Sequence, residues 1–496
     1  MLKYFISAVS VLAALTFIPN CKGNFGTAES FAPSNLPQAE ISGITSNGGS
    51  SLYCSISGGC SLTITGINFV NRAKIFVGDF ECPNVIINVA GTEATCTVGP
   101  AANGVYDVKL VNPDGKANIF AATVADPTTL HFSYASFLYL GSQESPGKVY
   151  GYAQHPTSGA LLSIIGSPFS IAANNSTYGV VISPDNKFLY AANVSSGTVS
   201  IFSINPTNGK LTAVGVPVTS GGGSPNGLFF HPTGKYLYVT NQTGNSVSGF
   251  SVDSAGGLTA LAGSPFATTG ATTINGLVVS ANGKFLYAAA MGGTGGVAGF
   301  SINELTGILT VIPGSPFMNT LGGVTTNTGD GISIHPNGNW LYMGLVGIRK
   351  IGAWSINQTT GVLTAIEAPI LNNSSSGYID NGGSASTVSD NGLFLYGTAF
   401  STSGADPKKI VVYNINQSTG GLTRASDIDT GGGPNDVRID TTGNFAYTCN
   451  SANPPSISAY RVDKTSGALS PLATRDYAIP TLSFGPGIMV MQRNSL

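Results

Sequence analysis

The chain has 496 residues, with Lys plus Arg 21 against Asp plus Glu 23 and a formal charge of −2. Charged residues make up 9% of it, against roughly 25% in an ordinary soluble domain, while apolar residues reach 42%; this excludes a disordered chain and a basic nucleic-acid binder. The 66 glycines are spread along the whole length, about twice the usual share, and imply tight turns between many short strands, hence an all-β protein.

One lysine (Lys3) precedes an apolar run from Tyr4 to Ile18, followed by Pro19, Asn20 and Cys21. Residues 1–20 read as a secretory signal, because the run is shorter than the roughly 20 apolar residues of a membrane-spanning helix and ends in a polar stretch. Ile18, Pro19, Asn20 and Cys21 resemble a bacterial lipobox, with Asn20 where Gly, Ala or Ser is usual. The resemblance implies diacylglycerol on Cys21, a flexible tether over 21–38 and a lipid-anchored place in the bacterial envelope, at the outer membrane or cell surface. The alternative is a plain signal peptide cut nearby.

Cys54, Cys60, Cys82 and Cys96 lie close together, and export to an oxidising compartment favours disulfides. Three connectivities are open, of which 54 with 60 plus 82 with 96 is the local one. No CxxC or Cys/His cluster is present, so no metal site is expected, and no motif calls for a cofactor. Cys449 reads as a buried structural thiol.

Short alternating runs separated by Gly, Asn and Asp turns fill residues 39–125, the size of one immunoglobulin-like sandwich. Residues 62–69 (LTITGINF), 75–78 (IFVG), 95–97 (TCT) and 105–115 (VYDVKLVNPDG) together resemble an IPT/TIG domain. That resemblance implies a spacer or interaction module without catalytic residues.

From residue 131 to 492 the chain repeats itself. Tyr139, Tyr190, Tyr238, Tyr287, Tyr342, Tyr396 and Tyr447 recur 48 to 55 residues apart. Each stands two residues after another aromatic, and each is followed by a V/I-x-x-x-x-I/V-N/D-like segment and a Gly turn (Gly159, Gly209, Gly256, Gly307, Gly361, Gly420, Gly467). About four strands per unit and seven units match a seven-bladed β-propeller, since a lone four-stranded sheet cannot bury both faces. Unit one lacks its first strand, whereas 485–491 (GPGIMVM) looks like 433–439 (GPNDVRI); the C-terminal strand is therefore expected to close the ring and pair the open edges. Residues 238–241 spell YVTN, and the repeat is similar to the YVTN, lactonase-like propellers, a family that includes 6-phosphogluconolactonases.

Variable connections such as 318–328, 371–384 and 401–408 should share one face, and residues opening the innermost strands should ring the channel mouth there. These are Asn226, Asn275, Asp330, Asn435 and Asp436, with Arg438 nearby. The competing account, which the sequence favours, is strand-start chemistry repeated by symmetry. Lactonases of the family, as the resemblance implies, carry an Arg-His pair before an innermost strand and a Glu after the Tyr-Val-x-Asn strand. Here the matching places read Asn226-Gly227, Asn275-Gly276 and Asn435-Asp436, and Gln242 follows Asn241. Asp436 with Arg438, or Asp330, are the substitutes available for a base and a cation. His231 and His335 share one repeat position before Pro and read as structural. Residues from 131 onward carry equal numbers of acidic and basic side chains, so no phosphate tracking is expected. The favoured function is an exported lipoprotein presenting the propeller as a binding or scaffold platform for a protein or carbohydrate. The alternative is a lactone hydrolase with an altered channel mouth.

Overall fold

The computed structural model describes residues 39–46, 53–55, 59–78, 80–99, 104–113, 117–120, 132–164, 166–171, 176–206, 208–293, 295–323, 328–348, 350–367, 370–371, 385–399, 408–451, 454–479 and 486–492. The expected signal, the Cys21 expected to carry lipid, the expected tether and the loops 372–384 and 401–407 lie outside them.

In the amino-terminal sandwich, Glu40–Ser46, Ser61–Ile67, Glu93–Thr97 and Ile86–Ile87 form one sheet, and Ala117–Phe120, Val108–Val111, Lys74–Val77 and Phe80–Cys82 the other. Period-two alternation turns Leu62, Ile64, Ile75, Val77, Val108 and Leu110 inward to a common core. Cys82 and Cys96 form a disulfide that staples the two sheets, as the local pairing anticipated. Cys60 is disulfide-bonded as well; the side chain of Cys54 lies outside the described residues.

Seven antiparallel sheets follow. Blade 1 is completed by the C-terminus: Pro486–Met491 pairs antiparallel with Phe132–Ser142, setting Met491 opposite Leu138, Val490 opposite Tyr139 and Met489 opposite Leu140. The innermost strands of blades 2 to 7 are Thr177–Ile182, Pro225–Phe230, Thr272–Val279, Gly329–Ile334, Ser386–Val388 and Pro434–Ile439. With the closing strand they neighbour one another in an unbroken cycle around the channel.

The repeated motif is an inter-blade fastening. Each repeat Tyr is buried and donates its hydroxyl to the carbonyl of the Gly in the next blade's outer turn: Tyr139 to Gly209, Tyr190 to Gly256, Tyr238 to Gly307, Tyr287 to Gly361, Tyr342 to Gly420, Tyr396 to Gly467 and, across the seam, Tyr447 to Gly159, at 2.6–3.0 Å. Those glycines have φ between 71° and 83°, and a Cβ there would run into the aromatic two residues before the donating Tyr, as at Gly159 against Phe445 and Gly209 against Phe137. Seven copies of one bond thus set the period that the sequence displays. The Asn ending the YVTN strand braces its own blade instead. Asn241 donates to Ser246 and Ser248, and Asn193 and Asn450 make the equivalent pairs of bonds in theirs.

One strand belongs to both modules. Phe132–Ser142 pairs with Lys148–Gln154 and the closing strand over its second half. Over residues 132–135 it lies between Tyr53–Ser55, parallel, and Gly104–Tyr106, antiparallel. The sandwich therefore draws a strand from residues expected to belong to the propeller alone.

Candidate functional site

The residues singled out at the channel mouth sit on a repeated β-bulge. In blade 3, Pro225 pairs with Asn241 and Leu228 with Val239, leaving Asn226 and Gly227 opposite the single residue Thr240. The same irregularity occurs at Tyr178-Gly179, Asn275-Gly276 and Asp330-Gly331, and in blade 7 at Asn435. Bulges re-aim side chains and recur beside functional sites. The glycines after them are needed for close approach rather than for a left-handed φ. A Cβ on Gly179 would overlap the carbonyl of Asn226, one on Gly227 that of Asn275, and one on Gly276 that of Asp330. Bulge packs on bulge from blade to blade, and this fixes the side chains at the mouth.

Asn226 and Asn275 are buried, Asp330, Tyr178 and Asn435 half-buried, and Asp436 buried. Asn275 Oδ1 accepts from Gln242 Nε2 at 2.9 Å, and its amide nitrogen meets the Met291 sulfur. Burial pushes the Asp330 carboxyl above the usual carboxylate range; the neighbouring Asn275 amide opposes this and the charge of Asp436 adds to it. The charge of Asp330 reaches Tyr178, whose phenol is pushed well above its ordinary value, first by that charge, then by burial, Cys449 and Asp436. The two residues hold corresponding bulge positions in blades 5 and 2.

Asp436 and Arg438 are committed elsewhere. Asp436 Oδ2 accepts the backbone N–H of Met489 at 2.9 Å and Arg438 Nε at 3.1 Å, and its Oδ1 accepts Val437 N–H at 2.9 Å. Arg438 Nε also donates to the Met489 carbonyl at 3.0 Å. The ion pair thus grips both main-chain groups of one residue on the closing strand and takes the place of a further strand there. Burial raises the Asp436 carboxyl even so, with Arg438 and the two N–H groups opposing. Cys449 is a free, buried thiol donating to the Gly487 carbonyl at 3.2 Å, which agrees with its structural reading.

His231 and His335 contact the carbonyls of Gly283 and Gly392 in the next blade at 3.0 and 2.8 Å, a structural use. Among the described residues no cluster of three or more His, Cys, Asp or Glu could hold a metal ion. Tyr178 is the site residue that sequence reasoning missed. Its signal was the alignment of Tyr178-Gly179-Val180 with Asn226-Gly227-Leu228 and Asp330-Gly331-Ile332, hidden because an aromatic replaces Asn or Asp.

Residues 162–275 and 319–482, more than half of the chain, match the family described as lactonase, 7-bladed β-propeller. The chain belongs to that family. Residues 44–132 match the IPT/TIG domain, ending within the shared strand. Among solved structures, this lactonase-family chain is similar to a putative 6-phosphogluconolactonase from Bacteroides uniformis (19% identity, TM-score 0.60, covering 72% of this chain and 99% of that one). It is also similar to a putative 6-phosphogluconolactonase from Bacteroides fragilis (17%, 0.60, 75% and 99%) and to the periplasmic gluconolactonase PpgL of Pseudomonas aeruginosa (17%, 0.59, 72% and 99%). At such identities the likeness is one of fold. No curated protein matches the chain.

Proposed function

We propose that the channel mouth binds and hydrolyses a small lactone, with Asp330 as general base and Tyr178 as hydrogen-bond donor. The reading is carried by one observation: a carboxyl of raised proton affinity and a phenol pushed upward by the charge of that carboxyl hold corresponding bulge positions in blades 5 and 2. Asp330 would take a proton from water while its oxygen adds to the lactone carbonyl carbon. Tyr178, a phenol at neutral pH, would donate to the developing oxyanion. Collapse breaks the ring C–O bond, the proton from Asp330 passes to the departing ring oxygen, and an open hydroxy acid remains. The family match supports the reaction class.

The test is hydrolysis of a panel of unphosphorylated and phosphorylated sugar lactones by the full chain, followed by pH-stat, with Asp330→Asn and Tyr178→Phe alongside. Turnover that falls about 100-fold or more in Asp330→Asn is expected; no turnover on any lactone, or turnover indifferent to both changes, refutes the proposal. The second reading, a platform that binds without turnover, is favoured by the engagement of Arg438 with Met489, which leaves a phenol rather than a cation for the oxyanion. Equilibrium binding without hydrolysis would select it.

Export and lipid anchoring belong to the same proposal and rest on residues 3–21 of the sequence. Mass spectrometry of the mature amino terminus, finding diacylglycerol on Cys21, is the expected result, and an unlipidated terminus elsewhere overturns it.

A further inference from the structure

The innermost-strand residues paired with the repeat Tyr occupy one level of the channel wall, past the bulges. Six of them are Val490, Val181, Phe229, Val278, Ser333 and Thr387, opposite Tyr139, Tyr190, Tyr238, Tyr287, Tyr342 and Tyr396. The seventh, opposite Tyr447, is Arg438, so this level carries one cation among apolar and hydroxyl side chains. Val437 is buried in the packing between blades, and strand alternation turns Arg438 the other way. Its strand is the edge of the blade 7 sheet and 35% of its side chain is exposed, so the exposed part opens on the channel. Only Nε of the guanidinium is engaged, donating to Asp436 Oδ2 at 3.1 Å and to the Met489 carbonyl at 3.0 Å. Both Nη nitrogens are without a partner among the described residues, and neither is buried.

We infer that the open Nη edge of Arg438 is a binding site in the channel for the carboxylate of a small organic acid. A guanidinium anchored through Nε presents its two Nη groups as a planar fork, and a carboxylate matches that fork with two parallel hydrogen bonds. The Asp436 carboxyl leaves the edge open, because it already accepts from the Met489 and Val437 N–H groups and from Nε. Its charge offsets that of the arginine, which favours a monoanion over a phosphate dianion. The rest of the acid meets the uncharged wall of the same level. Arg438 lies three residues along Pro434–Ile439 from Asn435, roughly 10 Å beyond the mouth, so the site is separate from the bulge positions and does not rest on the hydrolase reading. The open hydroxy acid that such a reaction releases carries the same group.

The experiment is arginine footprinting of the full chain with phenylglyoxal, which attacks an open Nη pair, with each modified residue located by peptide mass spectrometry. Lactate, a small hydroxy acid, is the probe; lactamide, its uncharged counterpart, and inorganic phosphate are the controls. At about ten times its dissociation constant, lactate should slow modification of Arg438 about tenfold, as occupancy requires, and leave Arg72, exposed on the sandwich, unaffected. Lactamide should give no protection, and phosphate less than lactate at equal concentration. Broadening of the lactate resonance reads the affinity directly, and Arg438→Lys, which keeps the charge and loses the fork, should weaken it about tenfold. An Arg438 that resists phenylglyoxal, a modification rate indifferent to lactate, protection by lactamide or phosphate equal to that by lactate, or undiminished lactate binding in Arg438→Lys overturns the inference. The footprint is read on the parent chain, so a variant that fails to fold leaves the test in place. Lactone turnover plays no part in the readout, so its absence would refute the hydrolase reading and leave this site standing.

Discussion

Removing residues 485–496 withdraws the strand that closes the ring. Met489 is 1% exposed and Met491 6%, and truncating a buried methionine costs about 2–5 kcal/mol, so the two side chains alone contribute roughly 4–10 kcal/mol. That approaches the whole stability of a typical domain, about 5–15 kcal/mol. The deletion also leaves Asp436 buried without the Met489 N–H and exposes the edge of Phe132–Ser142. Circular dichroism melts and limited proteolysis should show a truncated chain that fails to reach the native fold or melts far below the parent. The milder double variant Met489→Ala, Met491→Ala keeps the backbone pairing and should melt lower by on the order of 10 °C. A truncated chain with the parent's melting temperature would refute the account of ring closure.

Tyr447→Phe deletes the hydroxyl fastening blade 7 to blade 1 and leaves the Gly159 carbonyl without its donor. Urea unfolding should show a loss of about 1–3 kcal/mol, matched by Tyr238→Phe within the ring. Gly227→Ala should destabilise by about 1–3 kcal/mol because its methyl meets the Asn275 carbonyl. Gly215→Ala, where φ is 63° and no atom lies within 4 Å, should cost only the left-handed backbone strain of about 1–2 kcal/mol. Asp330→Asn tests the raised carboxyl. A folded-state value above the unfolded one means that the unfolded chain gives up this proton first, so the native state loses stability as pH climbs between the two values. The variant should therefore gain stability over the parent at pH 7 and lose that advantage below the unfolded carboxyl value, as read by urea midpoints at both pH values.

Much of the architecture was legible because it is built from local, repeated instructions. The aromatic-x-Tyr spacing and the outer-turn Gly are two ends of one inter-blade contact, so their periodicity in sequence is the periodicity of the ring. The missing first strand and its counterpart at 485–491 were visible for the same reason. The Asn and Asp positions at the strand starts were located, and the strand-start chemistry suspected there proved to be a β-bulge. What the sequence could not display was which chemistry each copy performs. Asp436 and Arg438 have the residue types of a catalytic pair, yet their partner Met489 lies some 50 residues away and belongs to a different sheet. Tyr178 escaped because its type departs from the repeat even though its place does not. The shared strand escaped because residues 132–135 carry the same apolar pattern in either module.

That strand has a mechanical consequence. A load applied to the sandwich enters the propeller along Phe132–Ser142, in shear across the bonds that hold the closing segment, and not through a slack hinge. Inserting a few glycines between Ala135 and Ser136 would turn a stiff coupling into a swivel, and the two modules, now free to yield separately, should come apart at two distinct forces.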